Sequence, residues 1–219
     1  MPNRVEPSFP DPRLARSDGL VAIGGDFSPS RLKLAYASGI FPWSVSPITW
    51  WSPDPRGILE LDELHIPRSL ERSIRRNGFR VTSDQAFPEV IRACASAPRG
   101  GQRTWITEEF IKAYQQLHQL GDAHSIEVWK DDHLVGGLYG VAIGGCFAGE
   151  SMFHQATDAS KVGLVRLIEH LRTRGYVLFD TQMVTPVTQS LGAREISRDD
   201  FLLRLKNAIQ MPVTFGGIA

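Results

Sequence analysis

The stretch from Leu134 to Thr181 constrains the fold more than any other part of this 219-residue chain. Leu134–Ile143 and Cys146–Phe153 are apolar runs joined by Gly144-Gly145. That is hairpin chemistry, and a type I′ turn is expected there because it needs positive φ at both central residues. Ser160 can then cap a helix over Lys161–Arg174. Val162, Val165, Leu167, Ile168 and Leu171 form its apolar face, and Gly175 stops it. Tyr176–Thr181 follows as a short apolar strand. Strand, crossover helix and strand together predict a right-handed βαβ unit inside one sheet.

The elements before and after extend this pattern. Helices are predicted over His65–Arg76, Ala86–Ser96 and Glu108–Gln119, the last capped by Thr107 and stopped by Gly121. Phe79–Thr82 and His124–Lys130 read as strands, with turn chemistry at Asp131-Asp132. Ser197-Arg198-Asp199-Asp200 reads as a capping box opening a helix over Phe201–Ile209. The expected fold class is α/β (α+β mixed), with a mixed, largely antiparallel sheet flanked by helices. The first part differs. Ser28 and Pro29 start a helix that should end near Ser38, with Gly39 as its stop. The proline- and aromatic-rich remainder suits short strands and turns. Pro53–Gly57 is the natural boundary, giving a small N-terminal domain over 1–57 and a larger domain over 58–219.

Composition narrows the classes of function. Twenty-four basic residues balance 24 acidic ones, so any nucleic-acid contact must come from a local patch. The beginning, MPNRVEPSFPDPR, has no apolar core of a signal peptide. The longest uncharged stretch, Leu134–Gly149, is too short to span a bilayer. No membrane association is expected, and a cytoplasmic location is. Cys94 and Cys146 form no paired motif and read as buried thiols. The six histidines show no metal-ligand spacing and no Walker A sequence occurs, so neither a metal nor an ATP-driven step is expected.

Several residues carry chemistry. Glu150 sits late in an apolar hairpin strand, where a carboxylate is costly unless paired or exposed in a cleft. It could equally face solvent at a strand edge. Asp180 ends the strand after the crossover helix, where open α/β sheets place ligand groups, and Gln182 follows two residues later. The pair could orient and deprotonate an amine. Asp180 could equally cap the next helix. Trp43, Trp50, Trp51 and Arg103-Thr104-Trp105 make an aromatic-rich set suited to stacking on unpaired bases. At least two of the five tryptophans should instead be packing residues. Arg68, Arg72, Arg75 and Arg76 share a helical face that could bind phosphates or simply be solvated. Ser160-Lys161-Val162-Gly163 and Gly24-Gly25-Asp26 are weaker anion-site patterns.

Taken in order, the strings GLVAIGGD (19–26), YASGIFPW (36–43), WWSPDPRG (50–57), GGLYGVAIGG (136–145), GESMF (149–153), ASKVGL (159–164), FDTQ (179–182) and SLGAREISR (190–198) resemble the leucyl/phenylalanyl-tRNA–protein transferase family. The resemblance runs from about Phe9 to the last helix. It implies a small N-terminal domain and a catalytic domain like the GNAT acyltransferases. It implies transfer of Leu or Phe, and less well Met, from aminoacyl-tRNA to the N-terminal amine of proteins beginning with Arg or Lys, marking them for N-degron proteolysis. No cofactor is implied, since the aminoacyl ester is already activated. A monomer is expected. Asp180 with Gln182 would activate the amine, and Glu150 would bind the aminoacyl end or the acceptor's cationic head. The terminal adenosine would lie near Tyr36, Trp43 and Trp105. An apolar slot for the donated side chain would be lined by Leu138, Met152, Leu167, Leu171 and Phe179. One departure is Val187, where this family often carries His; another is Leu at several pocket positions where Met or Phe is common.

Two other readings start from the same residues. An acetyl-CoA-dependent N-acetyltransferase would need paired glycines before the long helix, and Ala159–Leu164 lacks the second one. A non-catalytic RNA-binding module would need no site carboxylates.

Overall fold

The computed structural model describes residues 7–98 and 104–218. The expectations for the first six residues and for Arg103 lie outside them. A three-stranded antiparallel sheet, in the order β1 (Leu20–Ile23), β3 (Ile48–Trp51), β2 (Phe41–Val45), precedes a seven-stranded one. The larger sheet runs β10 (Arg194–Ile196), β4 (Arg56–Leu59), β9 (Leu178–Gln182), β8 (Cys146–His154), β7 (His133–Ile143), β6 (Ala123–Lys130), β5 (Arg80–Ser83). Among the described residues only β8 and β9 pair in parallel. The sheet is therefore mixed and largely antiparallel, as its sequence implies.

Helices cover both faces. On one face lie α1 (Pro29–Ala37), α3 (Phe87–Ser96) and α4 (Glu108–Gln119). Their core joins Leu32 and Tyr36 of α1, Phe41 of β2 and Trp50 of β3 to Val90, Phe110, Tyr114, Tyr139 and Val141. The first sheet thus shares a core with the larger one, and the predicted boundary at residue 57 falls inside β4. The other face carries α5 (Ala159–Thr173), which buries Val162, Val165, Leu167, Ile168 and Leu171 against Ile126, Leu138 and Phe179. Alternation along β7 sends Tyr139 to the first core and Leu138 to the second, as period two requires. The other α-helices among the described residues are α2 (Arg68–Arg76), α6 (Pro186–Ser190) and α7 (Arg198–Ala208). α7 closes a third cluster around Ile58, Leu178 and Phe201.

Local chemistry departs from expectation in five places. At the Gly144-Gly145 turn only Gly144 has positive φ (52°), which fits a type II′ turn rather than I′. The double positive φ occurs instead at Asp131 (49°) and Asp132 (60°), short polar residues that tolerate the left-handed region. Ser160 does not cap its helix. α5 begins two residues earlier than expected, at Ala159 behind Asp158, and Ser160 is buried in its first turn. Ser28 holds the N-cap position of α1, but its hydroxyl accepts no capping N–H; Asp26 accepts from the Ser28 N–H instead. At Ser197 half of the capping box forms: its hydroxyl accepts the Asp200 N–H and donates to the Asp200 carboxylate, opening α7 at Arg198. α2 also starts later than predicted, after Pro67.

Candidate active site

The site forms where the β8–β9 ladder stops. Parallel pairing runs from Cys146/Leu178 through Phe147/Phe179 to Ala148/Asp180, while both strands continue further. Just past that point each strand carries a bulge. Tyr139 pairs with Ser151 and Gly140 with Gly149, so Glu150 has no partner across the β7–β8 ladder. Gly57 pairs with Gln182 and Ile58 with Asp180, so Thr181 is the extra residue opposite β4. A bulge shifts alternation by one and re-aims side chains. Ala148, before the Glu150 bulge, belongs to the first core, whereas Met152, after it, packs on the second. At Gln182 the chain turns with φ +61°, which a non-glycine residue adopts only when its surroundings impose it. Gly57 makes room for this turn, since a Cβ there would lie 2.7 Å from the Met183 carbonyl carbon and the Thr181 hydroxyl.

Glu150 is the hub. One carboxylate oxygen accepts from the Tyr36 hydroxyl at 2.7 Å and from the Gln182 side-chain amide at 2.7 Å. The other lies 3.4 Å from the Tyr114 hydroxyl. Tyr36 and Tyr114 also bond each other. Burial pushes the Glu150 carboxyl up to about 7; the Asp180 charge adds to the rise, and the bonds from Tyr36, Gln182 and Tyr114 oppose it. Burial, reinforced by the Glu150 charge, holds both tyrosine hydroxyls well above their usual range.

Asp180 stands behind this hub. Its carboxylate pairs two-pronged with Arg56, Nε to Oδ1 at 2.8 Å and Nη2 to Oδ2 at 2.6 Å. Oδ1 also accepts the Gln182 backbone N–H at 2.8 Å. Arg56 and Asp180 are 1% and 2% exposed. The alternative helix-capping role for Asp180 is not what the structure shows, because α6 is capped by Thr185.

Two cavities meet at Glu150. The apolar one, about 340 Å³, is lined by Leu138, Met152, Leu164, Phe179, Val187 and Thr188 among others. The second, about 200 Å³, is lined by Phe41, Pro42, Trp43, Trp105 and Gln182. Gly149, Glu150, Thr181, Met183 and Thr185 line both. Among the described residues that line either cavity, Glu150 is the one that carries charge.

Of the residues singled out in the sequence, Glu150, Gln182, Trp43, Trp105, Leu138, Met152 and Phe179 are brought together at these cavities. The others are placed differently. Leu167 and Leu171 are fully buried in the core under α5, and the α5 residue that reaches the cavity is Leu164. Tyr36 is 5% exposed and serves Glu150 rather than offering a stacking face. Asp180 lines neither cavity. Of the remaining tryptophans, Trp50 is core and donates to the Gly24 carbonyl at 2.8 Å. Trp51 packs edge-on against Trp43, and Trp129 lies under Arg80.

Sequence reasoning passed over Arg56, Tyr114 and Met183. Arg56 sat inside a stretch read as a boundary. Tyr114 looked like one more core position of an amphipathic helix. Among the described residues no group of three or more His, Cys, Asp or Glu could hold a metal ion, and no helix is long and apolar enough to cross a membrane.

Residues 58–206 match the model of the leucyl/phenylalanyl-tRNA protein transferase family, and residues 25–54 match that family's N-terminal domain. The chain belongs to this family. A leucyl/phenylalanyl-tRNA–protein transferase of Anaeromyxobacter sp. (strain K) is 56% identical over 96% of this chain and 92% of its own length. That of Syntrophotalea carbinolica is 53% identical over 94% and 91%. Among solved structures, a GCN5-related N-acetyltransferase-like protein from Streptococcus suis covers 75% of this chain and 62% of its own, at 11% identity and a TM-score of 0.38. The family's two matched regions meet across Pro55–Gly57, so Arg56 lies at their junction.

Proposed function

We propose that this enzyme transfers Leu or Phe, and less well Met, from the 3′ end of aminoacyl-tRNA to the N-terminal amine of proteins beginning with Arg or Lys. The product would then carry an N-terminal residue that marks it for proteolysis in the cytoplasm. The observation that carries this reading is the position of Glu150 at the junction of an apolar cavity and a tryptophan-flanked one. The apolar cavity takes the donated side chain. Its steric walls admit an unbranched Cβ and reject Val or Ile, whose β-methyl would clash. The second cavity takes the terminal adenosine between Trp43 and Trp105, since base–aromatic stacking needs only a π-face. The ester linking the two ligand halves then falls beside Glu150.

The acceptor amine attacks the ester carbonyl carbon. A C–N bond forms, the C–O bond to the ribose breaks, and the amine's proton passes to Glu150. Glu150 returns it to the departing 3′-hydroxyl and is regenerated. A carboxyl raised to about 7 suits both transfers, because a general base works best near the operating pH. Gln182 holds Glu150 and offers its amide oxygen to the amine. Asp180, engaged by Arg56, takes no substrate contact in this reading; it holds Gln182 from behind. Positioning ester and amine together supplies part of the rate, up to about 7–11 kcal/mol at the ideal limit. An acceptor beginning with Arg or Lys brings positive charge to a site whose lining bears one carboxylate. The exposed arginines of α2 would meet tRNA phosphates.

The test is a transfer assay across charged tRNAs, with peptides beginning Arg, Lys or Ala and acetyl-CoA as a control donor. Leu and Phe should appear on the Arg and Lys peptides without ATP. Acetylation without aminoacyl transfer, or transfer to the Ala peptide alone, would overturn the reading.

A further inference from the structure

Arg56 lines neither cavity, yet the chain of bonds that runs through Asp180 and Gln182 to Glu150 starts from it. Its guanidinium grips both oxygens of Asp180 and donates a third bond to the Gly39 carbonyl at 3.1 Å. Its Cζ lies over two rings, 4.3 Å from the Phe201 centroid and 4.9 Å from that of Phe41. Gly39 and Phe41 lie in the segment that leads from α1 into β2, Asp180 lies on β9 and Phe201 on α7, so three separate parts of the chain close on one side chain. Asp180 in turn accepts the Gln182 N–H, in the turn where Gln182 has φ +61°, and the Gln182 amide reaches Glu150.

We propose that Arg56 is a positioning residue for aminoacyl transfer: its two-point grip on Asp180 fixes the turned backbone of Gln182 and so holds the Gln182 amide on Glu150. The proposal rests on the reading of Glu150 as the proton acceptor. Geometry favours it over simple charge neutralisation. A point charge would satisfy Asp180, but only a planar fork fixes the orientation of a carboxylate whose Oδ1 must also meet the Gln182 N–H.

Other groups bear on Glu150 and set the background for its titration. Tyr36 from α1 donates to it, the Tyr114 hydroxyl from α4 lies 3.4 Å away and also bonds Tyr36, and Asp180 from β9 repels it. On β8 itself the Cys146 thiol, pushed up by burial and by Asp180, sits in the field of the Arg56–Asp180 pair.

Arg56→Lys keeps the charge and removes the fork, so it separates the two roles. Glu150 is labelled with ¹³C at its carboxyl carbon and titrated by NMR in the wild type and in Arg56→Lys. Single-turnover transfer from Leu-tRNA is measured beside it. Loss of the Gln182 bond removes a donor that favours the charged carboxylate, so the Glu150 midpoint should move upward by about half a pH unit or more. The transfer rate should fall about tenfold or more, with KM for Leu-tRNA within roughly threefold of wild type. If Arg56→Lys does not fold, the double variant Arg56→Met, Asp180→Leu replaces the buried pair with apolar side chains, which buried ion pairs often tolerate. That variant also removes the Asp180 charge that raises Glu150, so it is read at the Gln182 side-chain amide by ¹⁵N NMR. The amide should lose its bond to Glu150 as the transfer rate falls, and an amide still held on Glu150 would overturn the proposal. An unchanged Glu150 midpoint in folded Arg56→Lys, with the rate loss matched by loss of active protein, would overturn the proposal. Absence of transfer by the wild type would instead defeat the functional reading, and the NMR titration would still decide whether Arg56 controls Glu150.

Discussion

The Gln182 side-chain amide donates to Glu150 at 2.7 Å across the gap where β8 and β9 part. The register that pairs Ala148 with Asp180 would set these two opposite each other in an unbroken ladder, and here their side chains bridge strands that have already parted. Glu150 is the unpaired residue of one bulge, and Gln182 follows the unpaired residue of another. The two irregularities together convert a strand end into a site, and the consequences can be measured.

Stability should depend on pH through Glu150. Its carboxyl is raised from the ordinary 4.5 to about 7, so between those values the native state holds a proton that the unfolded chain has released. Stability contributed by that proton falls as pH rises through the window and is flat above it. Glu150→Gln removes the titration. Urea unfolding at pH 5 and pH 8 should show a smaller loss of stability for Glu150→Gln than for the wild type over that interval. An equal or larger loss would mean that Glu150 is not the raised group.

The apolar cavity should control donor choice through Met152 and not through Leu167. Met152→Ala enlarges the slot and should shift the Phe-to-Leu preference in kcat/KM toward Phe by about tenfold or more, within the roughly 1–3 kcal/mol such pockets discriminate. Leu167→Ala, made in the core under α5, should cost about 2–5 kcal/mol of stability and leave the preference within roughly threefold. Competition between Leu-tRNA and Phe-tRNA measures the first effect, and denaturant melts the second.

Trp43 and Trp105 should separate binding from stability. Trp43 is 37% exposed, and Trp43→Ala should weaken binding of an aminoacyl-adenosine by about 1–3 kcal/mol with little change in folding. Trp105 packs edge-on against Phe110, at 5.2 Å between centroids, so Trp105→Ala should lower both binding and stability. Calorimetric titration with a non-hydrolysable aminoacyl-adenosine checks the pair. Unchanged affinity in both variants would remove adenosine from this cavity.

The basic face of α2 should matter only for whole tRNA. Arg75 makes a loose 3.9 Å pair with Glu71, and Arg68, Arg72 and Arg76 have no ion pair among the described residues. Changing all four to Gln should weaken Leu-tRNA binding. It should also flatten the salt dependence, by up to about 0.9 in log–log slope for every phosphate left without its arginine. Use of a short aminoacyl-oligonucleotide donor should be unchanged. Equal losses for both donors would place the arginines outside the tRNA path.

Much of the fold was legible because its signals are local. Thr107 and Gln119 bound α4 as the sequence implies, and the hairpin and crossover around β7, β8, α5 and β9 follow from periodicity and glycine stops. The site was legible in part. Asp180, Gln182 and Glu150 stand out as polar residues at strand ends. Their division of labour does not, because it depends on two register shifts and on Arg56, which lies 124 residues from Asp180 in sequence. Leu167, Leu171 and Leu164 share one apolar helix, and only packing decides which of them reaches the cavity. Tyr36 and Tyr114 are 78 residues apart, and nothing local marks them as partners.

The most direct test of the central claim is the pH dependence of single-turnover transfer from Leu-tRNA to an Arg-initiated peptide, in the wild type and in Glu150→Gln. The wild-type rate should rise with pH around a midpoint near 7, as the Glu150 carboxyl loses its proton. Glu150→Gln should transfer about 100-fold or more slowly, with that inflection gone. A variant that keeps both the rate and the inflection would contradict the account.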